Sequence, residues 1–165
     1  MTKKPLNEVA LNPIKLFKED YGLLTARKKN KSFNTMTVGW GMIGNLWSEP
    51  VVEVYVRPQR YTFEFNEEDD YFSLSFFDGD FKEALSLLGR KSGRDGDKIK
   101  ETNLIPLEIE DAVTFKQAKL VIVAKKIYED YFKEELFLDQ NQLKHYPAKD
   151  YHKRYIGKIV AVYEA

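Results

Sequence analysis

Residues 51–57, Val-Val-Glu-Val-Tyr-Val-Arg, alternate strictly, with Val52, Val54 and Val56 on one side and Glu53, Tyr55 and Arg57 on the other. An apolar residue at every second position marks a strand with one buried face, because successive side chains of a strand point to opposite sides. The position of this strand constrains the chain, for it follows closely on Gly39-Trp40-Gly41-Met42-Ile43-Gly44, which has the G-x-G-x-x-G spacing of a dinucleotide-binding turn. That motif needs a buried parallel strand before the glycines and a helix after them, since the pyrophosphate rests on the exposed N–H groups of a helix N-terminus. Here a strand follows instead of a helix. The residues before the glycines alternate as well, Asn34, Met36, Val38 and Trp40 facing one way and Phe33, Thr35, Thr37 and Gly39 the other, unlike the continuous apolar run of a buried parallel strand. Strand, glycine loop, strand is the expected order, with the glycines permitting positive φ and close backbone approach.

Most of the remaining chain reads as strand. YGLLTARK suggests a first strand and YFSLSFF another, while AVTFKQAKLVIVAKKIYEDYF and RYIGKIVAVY are long and β-rich. Helices are few. Arg60 to Asp70 reads as a short helix that Thr62 would cap, with Glu64, Glu67 and Glu68 near its positive end. A second helix is expected from Asp80, with Asp80 and Glu83 as a capping pair, Phe81, Ala84, Leu85 and Leu88 as its apolar stripe, and Gly89 as its stop. Ser92 to Asp95 would cap a further short helix reaching Glu101, and the acidic run at 66–70 reads as a solvated helix end. Many strands without a strand–helix–strand rhythm point to an antiparallel barrel or sandwich.

At 165 residues the expectation is one domain spanning 1–165, since a chain of this order buries about 70% of its unfolded surface. Basic and acidic residues balance at 26 each, leaving no net field to recruit nucleic acid or an anionic membrane. No apolar run approaches the roughly 18 residues of a membrane span. The N-terminal MTKKPLNEVALNP is polar and broken by prolines, so an unexported, cytoplasmic chain is expected. The absence of cysteine removes disulfides, thiolate catalysis and sulfur-ligated metals, and any redox chemistry would need a cofactor. Pro147 breaks any helix that would align the two histidines, His145 and His152, so no metal site is expected.

Taken in order, NTMTVGWG, WSEPVVEVYVRPQRYTFEFNEEDDYFSLSFF, KSGRDGDK and DYHKRYIGKIVAVYEA resemble the flavin reductase-like proteins of the FMN-binding split-barrel type, especially the flavoredoxin branch. The likeness covers residues 20–165. It implies a mainly β fold with a few helices, an antiparallel FMN-binding split β-barrel. It also implies FMN held non-covalently, usually near the interface of a homodimer, and electrons passing from NADH or NADPH through the flavin to free flavin or another acceptor. The alternative is an FMN-binding electron carrier with no nicotinamide-dependent activity of its own. A third is a split-barrel protein that has lost its flavin and serves as a binding module.

FMN presents a dianionic phosphate, a polar ribityl chain and a flat ring, so its site needs cations, hydroxyls and a surface along which the ring can lie. Arg57, Arg60, Tyr61 and Thr62 stand at the start of the short helix, where guanidinium groups, hydroxyls and backbone N–H groups would converge on the phosphate. Lys91 and Ser92 would add donors from a glycine-bounded turn. Without the resemblance, Arg57 and Arg60 read as a solvated strand end paired with Glu49 or Glu53. By the resemblance, Asn34, Met36 and Thr37 would edge the pyrimidine and N5 side of the ring, where a fixed donor tunes the reduced flavin. Trp40 reads either as a ring-side residue or as core. His152 reads either as a catalytic group near the flavin or nicotinamide, or as an anchor of the last strand.

Overall fold

In the computed structural model, which describes residues 1–165, the chain begins with β1 (Thr2–Lys4) and α1 (Pro13–Lys15), the latter continued by a π-helical turn, Leu16–Asp20. There follow β2 (Gly22–Arg27), β3 (Phe33–Val38), β4 (Gly41–Leu46), β5 (Glu49–Val56), α2 (Tyr61–Glu68), β6 (Tyr71–Phe76) and α3 (Lys82–Arg90). The remainder comprises β7 (Pro106–Ile109), β8 (Ala112–Phe115), β9 (Leu120–Tyr131) and β10 (Lys153–Glu164).

All strand pairs are antiparallel. The sheet runs β3-β2-β6-β9-β10-β5-β4, β1 adds to β10, and β7 and β8 form a separate hairpin. Thus β3 and β4 occupy opposite edges of one sheet, yet only Gly39 and Trp40 lie between them in the chain. Val38 and Gly41 are three Cα steps apart, at most about 11 Å. The two edges must therefore meet at this corner, with the sheet rolled on itself and left unpaired along one seam. This is the mainly β split barrel that the sequence resemblance implies.

The barrel is filled by the inward residues of β5, Val52, Val54 and Val56, with Leu24, Phe72, Leu74 and Ile122 from neighbouring strands. β2 and β9 are covered on their second face too, where Leu23, Val121 and Val123 pack with Leu85 and Leu88 of α3 and Phe115 of β8. Strands buried on both faces read as apolar runs, as in Leu23-Leu24 and Val121-Ile122-Val123, and not as alternations.

The expected glycine loop is corrected. Gly41 to Gly44 lie within β4, and the reversal falls at Trp47-Ser48, between the paired residues Leu46 and Glu49. Both turn residues have positive φ, 53° and 62°. A two-residue hairpin turn of the primed type demands this, although asparagine and glycine are its usual occupants. Gly41 does not have positive φ; Gly96 is the glycine that does. The reason for glycine at 41 is close approach, since a Cβ there would stand 2.3 Å from the Phe17 ring. Phe17 is itself buried and meets Phe76 edge-on with centroids 5.8 Å apart, closing the barrel beneath the seam.

The helix termini also differ from expectation. α2 has Arg60 at its N-cap, and Thr62 is buried and accepts a hydrogen bond from Asn34 in place of capping. α3 follows a 3-10 turn, Gly79–Phe81, has no side-chain cap, and runs through Gly89 to Arg90. Ser92 caps only a single 3-10 turn, Gly93–Asp95, accepting from the Arg94 N–H at 3.2 Å. Nor is the acidic run simply solvated. Glu67 accepts from Tyr155 at 2.6 Å and from Lys153 at 2.8 Å, and Asp69 accepts from the backbone N–H groups of Arg27 and Tyr71 at 2.7 and 3.1 Å.

Gly41→Ala should therefore destabilise the fold by about 1–3 kcal/mol through overpacking against Phe17. Gly44→Ala, whose Cβ would meet nothing within 4 Å, should stay within about 0.5 kcal/mol of the parent. Chemical denaturation of the two variants checks this, and equal losses would contradict it.

Candidate functional site

The register of β5 on β10 pairs Val56 with Lys153, so Arg57 and His152, the next residues outward, leave the sheet together at the mouth of the seam. β3 supplies the opposite wall, and two side-chain bonds tie it to the helices. Asn34 Nδ2 donates to Thr62 Oγ1 of α2 at 2.8 Å, and Thr37 Oγ1 donates to the Leu85 carbonyl of α3 at 2.5 Å.

Two cavities open on this corner, and Arg60 lines both. The larger, about 450 Å³, is walled by Met36 and Thr37 of β3, Trp40 of the crossing, Arg57, Arg60 and His152, with Phe17, Lys18, Tyr21 and Tyr55 completing it. The smaller, about 150 Å³, is walled by Asn34, Arg60, Tyr61, Thr62, Lys91 and Ser92, joined by Gln59, Arg90, Gly93 and Lys98. The residues singled out in the sequence thus fall into two adjoining groups. Arg57 lines the larger cavity and not the smaller.

The small cavity is almost wholly polar. Arg60 donates to the Gly89 carbonyl at 2.9 Å, and burial, then the neighbouring Arg57, lower its pKa. The turn after α3 closes tightly over Asn34 and Tyr61, where a Cβ on Gly93 would stand 2.5 Å from Asn34 Oδ1 and 2.8 Å from the Tyr61 ring. Arg94 stacks on that ring at 4.9 Å and pairs with Glu64 at 2.5 Å, which fixes the turn to α2. Lys91, beside the cavity, pairs with Glu101.

Lys98 escaped the sequence reading. Only 2% exposed, it donates from Nζ to the Leu88 and Lys91 carbonyls at 2.9 and 3.0 Å, and so satisfies the C-terminal end of α3. Burial, reinforced by Arg60, brings its pKa down to about 8. An ammonium has three donors, and the third is free for the cavity that Lys98 lines. Its only sequence signal was its place at the end of KSGRDGDK.

The expected pairing of the arginines with Glu49 or Glu53 is not found. Glu49 accepts from Lys158 at 2.7 Å and Glu53 from Tyr55 at 2.6 Å. Arg57 instead pairs with Asp150 at 2.5 Å and donates to the His145 carbonyl at 2.7 Å, fastening the segment before β10 over the cavity.

Trp40 is 43% exposed and so is no core residue; its ring stands 4.9 Å from that of His152 and 5.5 Å from that of His145. His152 is buried, with Nδ1 2.9 Å from the Tyr146 hydroxyl. Burial, then the Arg57 charge, moves its pKa down to about 4, so the imidazole is neutral near pH 7. No group of three or more histidine and acidic side chains is arranged to hold a metal ion, and no helix is long and apolar enough to cross a membrane.

The model of the flavin reductase like domain matches residues 15–165. Comparison with curated proteins gives no match. Among solved structures the chain is similar to the flavoredoxin of Desulfovibrio vulgaris (Miyazaki F), at 20% identity and a TM-score of 0.70, covering 99% of this chain and 77% of that one. It is similar also to the flavoredoxin from Methanosarcina acetivorans, at 23% identity and a TM-score of 0.66, covering 88% and 68%. A third likeness is to an FMN-binding protein from Thermus thermophilus with bound 1-cyclohex-2-enone, at 21% identity and a TM-score of 0.66, covering 94% and 78%. Matched over residues 15–165 and folded as a split barrel, the chain belongs to the flavin reductase like domain family.

Proposed function

We propose that the chain binds FMN and acts as an oxidoreductase, taking electrons from NADH or NADPH and delivering them to free flavin or another acceptor. The observation that carries this reading is the pair of cavities sharing Arg60, one small and lined by cations and hydroxyls, the other larger and bordered by aromatic rings. A phosphate suits the first and a flat ring system the second.

In this reading Arg60, Thr62, Lys91 and Ser92 hold the phosphate, helped by Tyr61, by Lys98 and by the N–H groups of Tyr61 and Thr62 at the start of α2, which have no intrahelical acceptor, while that of Phe63 is already bonded to the Arg60 carbonyl. Met36, Thr37 and Trp40 border the ring, Asn34 stands in the smaller cavity, and Arg57 and His152 close the rim. FMN held there would supply reversible electron storage, which no side chain of a cysteine-free protein provides. The protein's part is to orient the ring, to exclude water with Phe17, Tyr21 and Trp40, and to aim fixed donors where negative charge gathers. We further read the chain as one domain over residues 1–165, working in the cytoplasm as a homodimer with two equal sites, with neither nucleic acid nor membrane as partner.

Three measurements test the reading. Arg60→Ala should weaken FMN binding by about 1.5–3 kcal/mol while leaving riboflavin nearly unaffected, because the lost contact is charge-assisted. Calorimetry showing riboflavin bound as tightly as FMN by the parent protein would remove the phosphate site. Anaerobic addition of NADH or NADPH should bleach the flavin absorption, whereas a yellow protein that neither donor reduces is a carrier fed by some other partner. Light scattering should give a dimer, and a flavin-loaded species near 19.3 kDa would contradict it.

A further inference from the structure

Behind His152 stands a residue that lines neither cavity. Tyr146 is 6% exposed and packed among rings, with Tyr151 at 5.0 Å, Phe137 at 5.8 Å and the Arg57 guanidinium 5.0 Å above it. Its hydroxyl has one hydrogen-bond partner, His152 Nδ1. Burial raises the pKa of this phenol, so it keeps its proton. A buried O–H left without an acceptor is costly, and Nδ1 is the acceptor within reach.

A neutral imidazole carries a single N–H, on one nitrogen or the other. If Nδ1 accepts from Tyr146, the hydrogen stands on Nε2. Nε2 has no partner within the chain, and it is not among the sealed, unpaired atoms, which are the two side-chain polar atoms of Asn66 and one oxygen of Asp150. It is therefore open toward the cavity that His152 lines.

We infer that Tyr146 is a positioning residue that fixes His152 as its Nε2–H tautomer, so that the cavity wall presents an uncharged hydrogen-bond donor to a ligand's acceptor oxygen or nitrogen. Such a donor steadies negative charge developing on a carbonyl or ring nitrogen without surrendering its proton. A general base at Nε2 would require the opposite tautomer. Among the charged groups around the ring, Arg57 and Arg60 disfavour a second proton and Asp150 favours one. Lys18, Tyr21 and Tyr55 complete the titratable groups on the cavity wall, and His145 approaches only through Trp40. The tautomer rests on these contacts alone; the chemistry of the ligand rests on the proposed flavin site.

The test is long-range proton–nitrogen spectroscopy of flavin-free protein carrying 15N-labelled histidine, between about pH 6 and 8, with His145→Gln assigning the signals. His152 should appear neutral with its hydrogen on Nε2 throughout. Tyr146→Phe keeps the ring and loses only the hydroxyl, and should release His152 into a mixture of both tautomers. A hydrogen on Nδ1 in the parent, an imidazolium in this range, or an unchanged spectrum in Tyr146→Phe would overturn the assignment. Adding FMN should then shift the Nε2 signal, and FMN that binds without moving it would overturn the claim that this N–H meets the ligand. If FMN does not bind while the Nε2–H pattern stands, the proposed function fails and the tautomer survives.

Discussion

Two residues, Gly39 and Trp40, are all the chain has for passing from one edge of its sheet to the other. That short crossing forces the sheet to roll, and with no ladder between β3 and β4 it leaves a seam. The other features of this corner answer to the seam. Phe17 closes it from beneath, Gly41 yields the space that Phe17 occupies, and α2 and α3 fasten β3 so that the open edge keeps its place. A single added carbon at position 41 and a lost hydroxyl at position 62 would thus disturb the same corner from two sides.

The last strand, β10, determines what faces the seam. Its pairing with both β9 and β5 fixes the register, and the alternation of a strand then sends neighbouring residues to opposite sides. His152 faces the cavity as a neutral ring, while Lys153 is buried with Glu67 at 2.8 Å and Glu129 at 2.7 Å. Tyr155 donates to the same Glu67 at 2.6 Å. Lys153 is the buried charged member of this cluster and its two carboxylate partners reach solvent, so it is the loss of the carboxylates that would leave a buried charge without compensation. One peptide bond therefore separates a neutral imidazole at the cavity wall from a lysine held in a cluster of charge.

β5 was legible from its alternation, which matches the burial of Val52, Val54 and Val56, although its second face is covered as well, with Val51 and Tyr55 also buried. β4 was missed because Gly41 and Gly44 look like loop residues and its hairpin turn lacks the usual glycine or asparagine. Trp47 and Ser48 adopt positive φ under the demand of the flanking pairing, a tertiary effect with no local signature. Thr62 and Asp80 look like caps from their neighbours in sequence, yet the partner that claims Thr62 is twenty-eight residues away on β3. Arg60, Lys91 and Ser92 were expected to act together on a phosphate and do share one small cavity, whereas Asn34, expected beside Met36 and Thr37, lines that same small cavity instead. Lys98 was invisible because nothing in a lysine's surroundings in sequence tells that it will be buried against the end of a helix.

The seam has one further consequence. β3 pairs with β2 and with no strand on its other side, so that border is formed by main-chain N–H and C=O groups that are free of any ladder. Peptide groups are the same whichever side chain they carry. A wall made in this way is retained through extensive replacement of residues, so long as the crossing stays short and the strand stays anchored. Structures sharing about a fifth of their residues with this chain still superpose on it with TM-scores near 0.7. The heritable part of such a site is less a set of letters than the place where a rolled sheet declines to close.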